Sequence, residues 1–221
     1  MRIRPIEELV SVTEPAWPHV AALLEQDASA EVQAVAPDKA RDALHRLQVT
    51  AGSVLGALAL NTGGIIADHG WFRLLGGGSE HLPDLASANG LGNPADAASP
   101  PPFLLVGYDA LGGRFAIDGG GLGVDLGEVC YFGPDSLTWG GLGGGHADFV
   151  TGVLTGSLRD AFASLRWPGW QDEVSALLPD QGLALYPPPF TQQGANIGSV
   201  SRFAVPLSEL LYFYDHAAAQ M

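Results

Sequence analysis

Positive charge, cysteine and long apolar runs are all scarce in this chain, and each shortage excludes something. Ten Lys+Arg stand against 24 Asp+Glu, a formal net charge of −14. A surface this acidic repels phosphate backbones and anionic headgroups, so neither nucleic acid nor a membrane is expected as a partner. Lys39 is the one lysine, and it lies in no P-loop string, which removes that phosphate chemistry. The one cysteine, Cys130, cannot form an internal disulfide, and a reducing, cytoplasmic location is expected. Between Val129 and Tyr131 it reads as a small apolar strand residue, since a reactive thiol needs a basic neighbourhood. No apolar run approaches the roughly 18 residues of a spanning helix. The opening residues Met1 to Leu9 lack the apolar stretch of a secretory signal.

What is present suits a folded domain. The 221 residues, 47% hydrophobic, suffice for one α+β domain with its own core. Glu14-Pro15 opens a helix running to Gln26, with Trp17, Val20, Leu23 and Leu24 on one face. Glu31 to Val35 reads as a short strand, and Pro37-Asp38 opens a helix to Gln48. Val54 to Asn61 fits a buried strand or a helix equally well. The following Thr62-Gly63-Gly64-Ile65 favours the strand, as one arm of a hairpin. Ile65 to Asp68 and Trp71 to Leu75 read as further strands, and a flexible loop is expected near residues 80–102. A β-meander follows, with strands at Phe103–Tyr108, Arg114–Asp118, Val129–Phe132 and Leu137–Trp139. Helical patterns then carry Phe149, Val150, Val153 and Leu154, and next Leu158, Phe162 and Leu165. Gly169 to Leu178 is a short helix, Leu183 to Tyr186 a strand, and Pro206 to Ala219 the final helix. The expected architecture is α+β, a central antiparallel meander flanked by N-terminal and C-terminal helices.

Few strings carry chemistry. Gly119 to Gly123 and Gly140 to Gly145 lack the offsets and context of a dinucleotide loop, and read as turns. Six histidines show no metal-ligand spacing, so neither metal nor cofactor is expected. Asp68-His69 is the most enzyme-like pair, but no nucleophile stands near it, and the plainer reading is a polar turn between two strands. Arg166-Trp167-Pro168-Gly169-Trp170 reads as a rigid corner whose rings cap a core, or else as an interface anchor. Between Glu80 and Asp135 lie eight acids against Arg114 alone. Gathered along one sheet edge, they would make an acidic face for a basic protein.

The strings from Thr62 to Gly76, Phe103 to Val106, Phe115 to Gly120 and Arg166 to Trp170 together resemble a bacterial family of unknown function, over nearly the whole chain. A broader pattern is similar to the SUKH (Smi/Knr-like) superfamily: an N-terminal helix, a Gly-Gly turn before an apolar strand, a meander with Tyr131-Phe132, and helices after it. That likeness implies a SUKH-like fold and binding of a protein partner, as in toxin-neutralising immunity proteins. Its contacts would be Asp118, Asp125, Glu128 and Asp135, with Trp71 or Trp167 as anchors. The rival expectation is a small-ligand or enzyme domain in which Asp68, His69 and Arg73 meet in a pocket. A third is a homodimer formed through the last helix or the tryptophans.

Overall fold

In a computed structural model, which describes residues 2–96 and 99–221, seven strands form one sheet in sequence order, β1 to β7. They are β1 (Glu31–Gln33), β2 (Gly64–Ala67), β3 (Phe72–Leu75), β4 (Phe103–Asp109), β5 (Arg114–Asp118), β6 (Glu128–Phe132) and β7 (Trp139–Gly145). Every neighbouring pair is antiparallel. Helices α1 (Ile6–Val10), α2 (Trp17–Leu24), α3 (Pro37–Leu47), α4 (Val54–Asn61), α5 (Leu85–Ala88) and α6 (His146–Thr155) accompany the sheet. The C-terminal part adds α7 (Trp170–Ser175), a hairpin of β8 (Gln181–Tyr186) and β9 (Ser201–Pro206), and α8 (Leu207–Ala218). No helix among the described residues is long and apolar enough to cross a membrane.

The two-residue period of a strand assigns the two sheet faces. Ile65, Leu74 and Phe115 stand in one cross-strand row of β2, β3 and β5, and all three are buried. Phe115 meets Phe149 of α6 at 4.8 Å between ring centroids, and Phe72 meets Phe162 of a 3₁₀ turn at 5.2 Å. The opposite row runs Glu31–Ile66–Arg73–Tyr108–Arg114–Phe132–Trp139. The C-terminal part covers this second face. Leu183 of β8 donates to the Ala110 carbonyl at 2.8 Å, and Asp215 of α8 pairs with Arg114 at 2.7 Å. Arg114 also stacks over Phe132 at 4.3 Å.

Three expectations are corrected. Residues 54–61 are helical, not a hairpin arm. The Ser53 hydroxyl accepts the Gly56 N–H at 3.1 Å as an N-cap, and Leu55 to Ala59 are buried on every side. A helix apolar all round shows no amphipathic period, so its sequence cannot be told from a buried strand. Gly56 is required there, because a Cβ would lie 2.1 Å from the Thr50 carbonyl oxygen. Second, Gly140 to Gly145 belong to strand β7, not to a turn. Glu128 fills the space that a side chain at Gly141 would take, and accepts the Gly143 N–H at 2.7 Å. Third, the loop expected at 80–102 contains α5, and Leu82, Leu85 and Ala86 are buried in the core; residues 97 and 98 of it lie outside the described residues. Helix α1 and strand β9 were not foreseen. Replacing the cap of α4, Ser53→Ala, should cost about 1 kcal/mol, read as a fall of roughly 2–4 °C in melting temperature.

Candidate functional site

The β2–β3 turn is built from residues that tolerate the left-handed region. Asp68 and His69 have φ of 51° and 57°, and Gly70 follows at 90°. The plainer reading of the Asp68-His69 pair therefore holds. The Asp68 carboxylate is nonetheless a buried hub. It receives Arg166 at 2.5 Å and Arg159 at 3.2 Å. The Arg166 guanidinium lies against both Trp71 and Trp170, 4.7 and 4.3 Å from the ring centroids, and the two rings meet each other edge-on at 5.3 Å. Burial pulls the Arg166 pKa down, and Asp68 pulls it back up. Trp167 donates its indole N–H to Glu173 at 2.8 Å, beneath Arg202, which pairs with the same carboxylate at 2.9 Å. The Arg166–Trp170 string is a core cap. Trp71 and Trp167 are 0% and 4% exposed, which corrects their expected place as interface anchors.

The acids do not share one rim. Asp118 is buried, and its Oδ1 accepts the N–H groups of Gly120, Gly121 and Leu122 at 2.7–2.9 Å. Burial works against its charge, but those amides outweigh it and hold its pKa below the usual range. Asp109 lies inside the core and accepts from Leu111, Gly113 and the Tyr131 hydroxyl. Its burial outweighs those bonds and raises its pKa. Asp84 caps α5 and pairs with Arg46. Asp125 and Glu128 stand at the start of β6 and exposed Asp135 beyond its end, so strand length separates them.

A cavity of about 910 Å³ with several charged groups in its wall opens where the end of α2 and β1 face the β2–β3 turn and α7. Asp27, Glu31, His69, Arg73, His81 and Arg159 all contribute to its lining. Asp68, by contrast, is turned into its ion pairs, so only His69 and Arg73 of the expected trio reach the cavity. Arg73 is 1% exposed, yet its Nε and Nη1 have no hydrogen-bond partner among the described residues. Burial pushes its pKa down to about 10, with the charges of Asp109 and Asp180 opposing the shift, so it stays protonated at neutral pH. Each of the other arginines has an acidic or carbonyl partner, although Nε of Arg46, Arg114 and Arg166 makes no hydrogen bond among the described residues. Arg2, Arg41, Arg46, Arg114, Arg159, Arg166 and Arg202 each pair with a carboxylate, and Arg4 donates to the Gln48 carbonyl. His81 stands 3.5 Å from the Asp180 carboxylate at the cavity wall. Among the described residues, no three His, Cys, Asp or Glu side chains are grouped to hold a metal ion.

Sequence reasoning missed Asp27, His81 and Arg159. Nothing in Gln26-Asp27-Ala28-Ser29 announces a cavity wall. Arg73 did carry a signal, as a lone cation inside the apolar run Trp71 to Leu75.

Fold and site together define an α+β protein with a seven-stranded antiparallel meander and a cavity with charged lining residues at its β1 edge. The chain belongs to the family described as "Protein of unknown function DUF2625", whose model matches residues 6–210. It is 34% identical over 191 residues to the uncharacterised protein YbfG of Escherichia coli (strain K12), covering 84% of this chain and 85% of that one. It is 33% identical over 178 residues to an uncharacterised protein of Haemophilus influenzae, covering 79% of this chain and 78% of the relative. No solved structure matches the chain. The likeness to the SUKH superfamily rests on sequence pattern alone.

Proposed function

We propose that this protein binds a small anionic molecule, a carboxylate or phosphate, in the cavity at Arg73. One observation carries the reading. Arg73 is a buried guanidinium with neither a carboxylate partner nor a hydrogen bond at Nε or Nη1, and it lines a cavity. Taking a charge out of water costs several kcal/mol unless something returns the lost interactions. A guanidinium offers a planar fork that fits carboxylate or phosphate oxygens with two parallel bonds. Arg159, His69 and His81 add positive or protonatable groups around the same space. The volume lies in the range of ordinary small-ligand sites.

The test is thermal unfolding at constant ionic strength, with chloride replaced stepwise by phosphate, citrate or short alkanoates. A ligand present at a hundred times its Kd adds about 2.7 kcal/mol, which for a chain of this size is a rise of roughly 5–10 °C. A saturable rise that disappears in Arg73→Met supports the reading. An identical melting temperature in every anion overturns it.

A further inference from the structure

The cavity holds a second unsatisfied group, of opposite sign. Asp27 follows the end of α2 and is 7% exposed. Its Oδ1 is engaged by the Ser29 N–H at 3.0 Å and the Ser29 hydroxyl at 2.7 Å, which fixes the carboxylate. Its Oδ2 is buried and has no partner among the described residues. Asp27 lines the same cavity as Arg73. Its side is negative, because Glu31 lines the cavity too and Glu25 lies two residues before it. Glu31 and Arg73 stand in one row of the sheet with Ile66 between them. That places Glu31 and Arg73 about 10 Å apart at ordinary strand spacing. Neither Asp27 Oδ2 nor Nε and Nη1 of Arg73 has a partner among the described residues, so these atoms do not pair with each other.

A cavity with a desolvated cation at one end and a desolvated carboxylate oxygen at the other is complementary to a molecule carrying both charges. We infer that the ligand is amphoteric, with a carboxylate that Arg73 binds and a protonated amine that Asp27 Oδ2 accepts, as in an extended amino acid or a short peptide. This rests on the reading of the cavity as an anion site and adds the second pole. A simple dianion would leave Asp27 Oδ2 buried and unpaired, and would bring further negative charge towards Glu31. An amine supplies the missing donor and relieves that repulsion.

Straight-chain ω-amino acids from 3-aminopropanoate to 8-aminooctanoate, set against alkanoates of matching length, test this by calorimetric titration and melting temperature. One chain length should bind roughly ten- to a hundredfold tighter than its alkanoate, the usual worth of a hydrogen bond to a charged group. Asp27→Asn, which keeps Oδ1 for the Ser29 turn, should abolish that preference, so that each amino acid binds no tighter than its matching alkanoate. If alkanoates bind as well as amino acids at every length, the amine pole is wrong while the anion site at Arg73 stands. A preference for the amine that survives in Asp27→Asn removes Asp27 from it. Absence of binding by both series overturns this inference and the anion site together. The comparison of the two ligand series on the unmodified protein decides the matter even if the variant fails to fold.

Discussion

Arg73→Met should melt higher than the unmodified protein in the absence of ligand, while losing its response to carboxylates. Methionine matches the length of the arginine stem and asks for no hydrogen bonds. Replacing buried charge with an apolar group of similar volume is commonly neutral to stabilising, by up to about 4 kcal/mol. For a chain of this length each 1 kcal/mol moves the melting temperature by roughly 2–4 °C. Asp109 loses a favourable neighbour in the variant but keeps its three donors, Leu111, Gly113 and Tyr131. Arg73→Lys is the informative partner variant. It keeps a charge without the planar fork, so it should show no thermal gain and weaker anion binding. Stability gained by removing a residue, with binding lost, is the signature of a site held under strain for function. A fall of several degrees in Arg73→Met would instead show that Asp109 and Asp180 already satisfy the guanidinium, and the site would lose its warrant.

Asp68→Asn should be the most destabilising single substitution near the site. Asparagine tolerates the left-handed turn, so the backbone is spared and the charge alone is removed. Arg166 then remains against Trp71 and Trp170 without its carboxylate. Breaking a buried pair by deleting one partner costs roughly 3–5 kcal/mol. Arg159 is 47% exposed in its side chain, and its share is small. In urea the midpoint should fall with the slope unchanged. The double variant Asp68→Asn with Arg166→Met should recover most of the loss, because the stranded charge is gone. Additive losses would show that the pair is not the unit described here.

The strand pattern of the meander was legible because β2 to β6 alternate or run apolar between turn residues, and the same period places Arg73 on one face. The α+β class and the boundaries of α3, β4 and β5 followed from Pro37, Gly112-Gly113 and alternation. Helix α4 was not legible, because burial on all sides erases period. Strand β7 was not, because its five glycines have no side chains to alternate; its geometry is supplied by Glu128 from the neighbouring strand β6. The site was half legible. Asp68, His69 and Arg73 stood out as polar groups in an apolar stretch, but which of them faces a cavity depends on Arg159 and Arg166, more than ninety residues away in sequence. The reading of Asp118 and Glu128 as free acids failed for a local reason: glycine-rich loops expose amide N–H groups, and nearby carboxylates bind them first.

The order of the seven strands also sets when the cavity comes into being. Each strand pairs with its neighbour along the chain, and β2–β3, β4–β5, β5–β6 and β6–β7 close over short loops, so much of the sheet can assemble from local contacts. The Asp68–Arg166 link spans 98 positions, and α7, which walls the cavity, comes later still. A growing polypeptide thus carries its arginine fork on an open sheet until the last third of the chain docks, and competence to capture a ligand arrives at the end of folding.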